Sequence, residues 1–171
     1  QWDRFHRLTF QEDPWFRGVK LNYPWSKYSP PPPGFPFGGV RGLGHENDWG
    51  SLPIADEDYD DALTTRYAVE FLNQRKADDD APFFLACGLF RPHLPWYAPQ
   101  RYFDRYPLDE IVLPPVLDND LDDLPAAGLR LAKHRRSDLT TIRKAGKWKH
   151  AIRAYLAGIT CADARLGRIL D

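Results

Sequence analysis

The stretch Pro82-Phe83-Phe84-Leu85-Ala86-Cys87-Gly88-Leu89-Phe90-Arg91-Pro92-His93-Leu94-Pro95-Trp96 decides how this chain is read. Residues 83–90 are eight apolar or small side chains in a row with no charge, which is the composition of a strand covered on both faces in an α/β protein. The run then ends in a cation, an imidazole and two prolines. Pro92 and Pro95 lack the N–H that a ladder needs and fix φ on either side of His93, so stiff backbone presents the imidazole. In open α/β sheets, ligands bind beyond the carboxyl ends of the strands, and His93 falls where that rule places a site. A histidine that only caps a loop by hydrogen bonding is the alternative reading.

Periodicity supplies the flanking elements. Leu63, Tyr67 and Phe71 recur every four residues, with Ala68 and Leu72 beside them, which predicts one apolar helical face. Asp60 or Asp61 is the candidate cap of that helix. The polar run Lys76-Ala77-Asp78-Asp79-Asp80 ends it and the strand 82–90 follows, giving the αβ half of a crossover unit. Beyond the His93 loop, Pro99 opens one or two helical turns that run toward Tyr106. Residues 107–127 are acidic and punctuated by proline. From about Lys147 to Leu170, the residues Ile152, Tyr155, Leu156, Ile159, Leu166, Ile169 and Leu170 mark a second amphipathic helix, whose apolar face wants a sheet to cover.

The chain therefore divides into an irregular aromatic, proline- and glycine-rich region (1–55), a helix, strand and histidine loop (56–106), a connector (107–146) and a helix (147–171). One strand and two or three helices do not complete a doubly wound domain. The missing strands are expected outside this chain, or paired with it in trans. The sequence has 171 residues and no methionine, so an internal piece of a larger protein is expected.

Charge and composition exclude some partners. With 23 basic and 24 acidic residues the net charge is −1, and nucleic acid is not an expected partner. The basic tract Lys133-His134-Arg135-Arg136, continued by Arg143, Lys144, Lys147 and Lys149, follows the acidic tract Asp118, Asp120, Asp122 and Asp123, and together they read as a mutually screened surface. No apolar run approaches the roughly 20 residues of a membrane span, and nothing resembles a signal peptide. Pro30-Pro31-Pro32-Pro33 can adopt polyproline II, but amid so many aromatics a packed surface loop is the better reading. Cys87 and Cys161 both sit in apolar sequence, where free cysteine packs as a small core residue.

The stretch from Pro82 through Leu108, with its Arg-Pro-His-Leu-Pro loop, Pro99-Gln-Arg-Tyr-Phe103 turn and Tyr106-Pro-Leu108, resembles sulfatases of the iduronate-2-sulfatase-like branch. Asp48-Trp49-Gly50, Asp122-Asp123-Leu124-Pro125, Arg153-Ala-Tyr155-Leu-Ala157 and Asp163-Ala-Arg-Leu-Gly167-Arg-Ile-Leu170 continue the resemblance in the family's order. It implies an α/β fold of the alkaline-phosphatase-like kind, a central sheet flanked by helices, of which this chain holds a part. It also implies a sulfuric ester hydrolase that uses a formylglycine nucleophile and a calcium ion, acts on a sulfated small molecule or polysaccharide, and works in an exported compartment. The family's loop histidine contacts sulfate and the departing oxygen, and it maps onto His93. An ester oxygen leaves poorly as an alkoxide, and an imidazole can supply it with charge or a proton. Arg91, two residues earlier, shares a side with His93 if the segment is extended, which makes it a substrate-binding candidate or a structural ion pair. Trp96, with Tyr97, is a candidate to stack on a sugar ring, or to pack.

Several family features are absent. The formylglycine motif has cysteine or serine, proline two residues on and arginine four residues on. Cys87-Gly-Leu-Phe-Arg91 and Cys161-Ala-Asp-Ala-Arg165 have the arginine without the proline, so neither is the nucleophile. No metal ligands are assigned to this chain, because the acidic group at Asp118, Asp120, Asp122 and Asp123 lacks the glycine and glutamate of a calcium hand. His6 and His45 read as surface or turn residues. The chain alone is therefore expected to be inactive, with the remainder of the catalytic domain as its partner. Two other readings stay open: a phosphate or phosphonate ester hydrolase of the same superfamily, and a non-catalytic carbohydrate- or partner-binding scaffold whose surface is Trp2, Trp15, Trp25 and Trp49.

Overall fold

Two short stretches of backbone join the parts of the molecule. Strand β1 (Trp49–Gly50) pairs in parallel with β2 (Trp96–Tyr97), placing Trp49 opposite Trp96 and Gly50 opposite Tyr97. The computed structural model describes residues 36–43, 47–75, 82–117, 119–134 and 137–171. Between the strands lie a single 3-10 turn at Asp56–Asp58 and helix α1 (Asp60–Asn73), and after β2 come α2 (Gln100–Phe103), α3 (Ala126–His134), α4 (Ser137–Lys144) and α5 (Trp148–Leu170).

Helix α5 is the centre of the packing, touching α1, α2, α4 and both strands. Its buried face is made of Ala151, Ala154, Ala157, Gly158, Cys161 and Arg165. Small side chains let neighbouring backbone come close: a Cβ on Gly158 would sit 3.7 Å from Pro92. Against this face pack Trp49, Ala98, Tyr102 and Phe103. A second cluster, Leu52, Tyr59, Ala62 and Tyr97, lies beside it.

Five expectations change. The α5 helix forms as predicted, but Tyr155, Ile159, Leu166 and Leu170 of its predicted inward face are exposed. Hydrophobic periodicity finds the bulky stripe, whereas close approach of backbone selects the small one. Helix α1 likewise buries Asp60, Asp61, Ala62, Thr65 and Ala68, while Leu63, Tyr67 and Phe71 are only half-buried. Its N-cap is Tyr59, with no side-chain cap bond, and both aspartates sit inside the first turn.

Residues 82–90 form no strand, and Phe83 and Phe84 are 50 % and 78 % exposed. A strand buried on both faces needs neighbours on both, whereas Phe83, half-exposed, rests against the Phe71 ring and the Arg75 guanidinium. The region read as connector holds α3 and α4. Proline is tolerated at a helix start, so the punctuation at Pro125, just before α3, marks an entry. The part of an α/β fold seen in the described residues is thus helices around a two-stranded parallel sheet.

Glycine is required where the 36–39 segment crosses β1. A Cβ on Gly38 would lie 2.7 Å from the Trp49 carbonyl oxygen, which lies between two carbonyls, Asp48 and Gly50, that bond β2. Gly38→Ala is expected to cost about 1–3 kcal/mol through overpacking, whereas Gly158→Ala meets only ordinary contacts and should gain about 0.5–1 kcal/mol of helix propensity. Urea midpoints of the two variants check this, and a wild-type midpoint for Gly38→Ala would show that the crossing is not tight.

Candidate functional site

The loop that carries His93 is tied at both feet by one side chain. Arg91, at the first foot, is buried, and its Nε donates to the carbonyl of Tyr97 at the second foot, at 2.7 Å. Its Nη1 reaches Asp61 Oδ2 at 3.1 Å and Asp60 Oδ1 at 3.3 Å. Asp61 accepts two further bonds, from the N–H of Phe90 at 2.7 Å and of Arg91 at 3.1 Å. The Tyr59 ring lies 5.7 Å from the guanidinium carbon. Charge, hydrogen bonds and an aromatic face thus hold the cation in a dry site.

Two hydrogen bonds brace the loop between those feet. The Arg91–Pro92 and Leu94–Pro95 peptide bonds are cis, the His93 N–H donates to the Phe90 carbonyl at 2.9 Å, and Trp96 Nε1 donates to the Pro92 carbonyl at 2.9 Å. His93 projects from this frame and is exposed, its ring 4.7 Å from that of Phe90. Its Nδ1 bonds the Leu94 carbonyl. A carbonyl can only accept, so Nδ1 carries a proton and Nε2 is the ring atom left for a ligand. Such a group can donate to an anion when charged, or take up a proton when neutral.

A third buried acid braces the frame from behind. The Asp48 carboxylate accepts from the N–H groups of Phe37 at 2.9 Å, Gly38 at 3.3 Å and Gly39 at 2.7 Å, and from the Tyr97 hydroxyl at 2.8 Å. It therefore joins the 37–39 segment to β2. Burial, and then the adjacent Asp48 charge, push the Tyr97 phenol far above its usual range. Tyr59, whose oxygen accepts from the Leu52 N–H at 2.9 Å, is also raised, chiefly by burial.

The sequence-derived site residues separate accordingly. His93 is exposed, while Arg91 is enclosed between two aspartates. The two do not share a side, because the bond from His93 N–H to Phe90 curls the chain and strand alternation no longer applies. Trp96 is half-buried between Trp49 and Tyr155, with ring centroids 6.4 and 5.6 Å away, and Tyr97 is fully buried, so this pair packs. Cys161 is in the core as expected, but Cys87 is exposed. Burial raises both thiols, the opposite of what an activated nucleophile needs. His6, His45, Trp2, Trp15, Trp25, Asp118 and the proline tetrad lie outside the described residues.

Asp61 and Asp48 are the organising residues, and the sequence offered Asp61 only as a helix cap and Asp48 only as part of the Asp48-Trp49-Gly50 resemblance. The signal for Asp48 is Gly38-Gly39, since a Cβ on Gly39 would lie 2.6 Å from its Oδ1. For metal, no group of three or more His, Cys, Asp or Glu side chains gathers among the described residues. The adjacent acids Asp60 and Asp61 are engaged by Arg91 and by backbone donors.

Comparison with known proteins adds an independent line. The profile of the family described as Sulfatase matches residues 4–171. A protein named Sulfatase from Formosa agariphila is 39 % identical over 130 residues, covering 72 % of this chain and 24 % of that protein. Human iduronate 2-sulfatase is 28 % identical over 131 residues, covering 70 % of this chain and 23 % of its own. An arylsulfatase of Clostridium perfringens is 29 % identical over 131 residues, covering 72 % and 25 %. The chain thus spans about a quarter of the length of these relatives.

The buried phenols give the fold a basic limit. Tyr97 and Tyr59 stay protonated in the folded chain at pH values where an unfolded tyrosine, with pKa about 10, ionises. Above about pH 10 the unfolded state therefore binds fewer protons and stability falls as pH rises. Urea midpoints between pH 8 and 11 should decline for the wild type and decline less for Tyr97→Phe. Identical slopes would rule out Tyr97 as a source.

Proposed function

Because this chain belongs to the sulfatase family, we propose that it is the histidine-bearing segment of a sulfuric ester hydrolase in which His93 binds the sulfate ester and stabilises the oxygen that leaves. One observation carries this reading: an imidazole with Nδ1 committed to the Leu94 carbonyl, presented by an exposed loop that is otherwise fully braced. In the charged imidazole both ring nitrogens hold protons. The Nε2 proton passes to the departing oxygen, and the neutral ring that remains is the tautomer that the Leu94 carbonyl supports. A cation at this position also offsets charge on the sulfate before the bond breaks.

The formylglycine and calcium ion of such an enzyme would supply the nucleophile and polarise the sulfate oxygens. The described residues do not fit either group: no acidic cluster is available, and neither Cys87 nor Cys161 has the proline that the motif requires. Both are assigned to the remainder of the catalytic domain. That remainder is also proposed to cover the exposed stripe of Tyr155, Ile159, Leu166 and Leu170, and to pair with residues 82–90, where Phe83 and Phe84 are exposed. The whole would be an alkaline-phosphatase-like sandwich. The substrate class is a sulfated sugar or similar sulfate ester, met in an exported compartment. Among the described residues no helix is long and apolar enough to cross a membrane.

In the whole enzyme, His93→Ala is expected to lower turnover of an aryl sulfate at least about 100-fold, the usual scale for an acid–base group. His93→Gln, which keeps a donor but cannot take up charge, should recover only part of the loss. Steady-state kinetics on 4-nitrophenyl sulfate test this, and near wild-type turnover for His93→Ala would remove His93 from the reaction.

A further inference from the structure

We propose that Asp61 is the positioning residue for His93, acting through Arg91. The inference rests on the role given to His93 above and adds the group that sets its location. Three bonds converge on the Asp61 carboxylate. Oδ1 takes the Phe90 N–H at 2.7 Å, while Oδ2 takes the Arg91 N–H and Arg91 Nη1, each at 3.1 Å. The two backbone donors belong to the residues that lead directly into Pro92 and His93. The chain enters the loop from a point fixed on the first turn of α1.

The exit of the loop is tied to the same carboxylate through one side chain. Arg91 Nε bonds the Tyr97 carbonyl at 2.7 Å, so the guanidinium held by Asp61 also holds the second foot. Entry and exit of the 91–97 loop are thus fixed relative to each other by Asp61, Arg91 and one carbonyl. Asp60 joins Asp61 at the guanidinium, at 3.3 Å, whereas the Phe90 and Arg91 N–H groups both point at Asp61. The outer side of the loop is closed by α5, where Gly158 leaves Pro92 room at 3.7 Å. Inside this frame His93 N–H bonds Phe90 and Trp96 Nε1 bonds Pro92, while the strand pairing joins Trp96 N–H to the Asp48 carbonyl at 3.0 Å. Asp61 is the helix side chain that takes backbone donors at the loop's entry as well as the guanidinium.

Reactive groups lose rate steeply when displaced by about 1 Å, with losses on the order of 100-fold. Removing Asp61 releases the entry backbone at Phe90 and Arg91 and takes one of two carboxylates from the guanidinium that holds the exit, while leaving the imidazole and its Leu94 bond intact. The consequence is a loss of turnover that exists only while His93 is there to be misplaced.

A double-mutant cycle in the whole enzyme with 4-nitrophenyl sulfate reads this directly. Asp61→Ala is expected to lower kcat about 10- to 100-fold with KM changed less than about threefold. In a His93→Ala background the same substitution should change kcat less than about threefold. If Asp61→Ala does not yield folded enzyme, Asp61→Asn carries the same cycle. In either orientation its amide sets a donor against the Phe90 or Arg91 donors while the shape is kept, so a smaller loss with the same dependence on His93 is expected. Equal losses of kcat in both backgrounds, or a loss confined to KM, would overturn the proposal. A His93→Ala enzyme with undiminished kcat would instead overturn the role of His93 itself, an outcome that the single variant shows before Asp61 is changed.

Discussion

A guanidinium removed from water has to be matched group by group, and the Arg91 site does this with two carboxylates, a carbonyl and an aromatic face. Desolvating ions costs several kcal/mol each, and taking away one partner of a buried pair costs about 3–5 kcal/mol because the other charge is left uncompensated. Two acids against one arginine leave an excess negative charge. It is met by the backbone donors of Phe90 and Arg91, and by the position of both aspartates in the first turn of α1, where the helix dipole favours anions. Such a cluster is weak evidence for net stability. It is strong evidence for a single geometry, since any rearrangement exposes an unmatched charge to a low-dielectric interior.

The packing around the cluster follows from the need to bring backbone close to it. Ala151, Ala154, Ala157 and Gly158 turn the inner face of α5 into a shallow surface on which the proline loop and the β1–β2 pair can lie. Side chains larger than alanine there would hold Pro92 away from the helix and pull Arg91 from its partners. The large side chains of α5 are consequently on another face, and that exposed stripe agrees with a chain that spans about a quarter of its relatives' length.

This division explains what the sequence could and could not show. The α5 helix was legible from its periodicity, but the buried face was not, because hydrophobicity ranks residues by bulk and close packing ranks them by smallness. Residues 82–90 have the composition of a central strand, yet composition cannot provide the neighbours that make one. The stiff loop that carries His93 was legible because its two flanking prolines signal it locally. Asp61 was not, since its partners Phe90 and Arg91 are 29 and 30 residues away. At the start of a helix an aspartate reads first as a cap.

The placement of Arg91 also settles how charge is divided around His93. For Arg91 to serve an anionic ligand it would have to leave two buried carboxylates, at a cost of about 3–5 kcal/mol or more, in return for an exposed ion pair worth about 0–1 kcal/mol. The comparison keeps the guanidinium inside. An arginine and a histidine two residues apart therefore divide the work: the permanently charged group fixes the backbone, and the group that can gain or lose a proton faces outward. The reverse arrangement would bury an imidazole that could not change its charge without cost, and would leave the loop without an anchor.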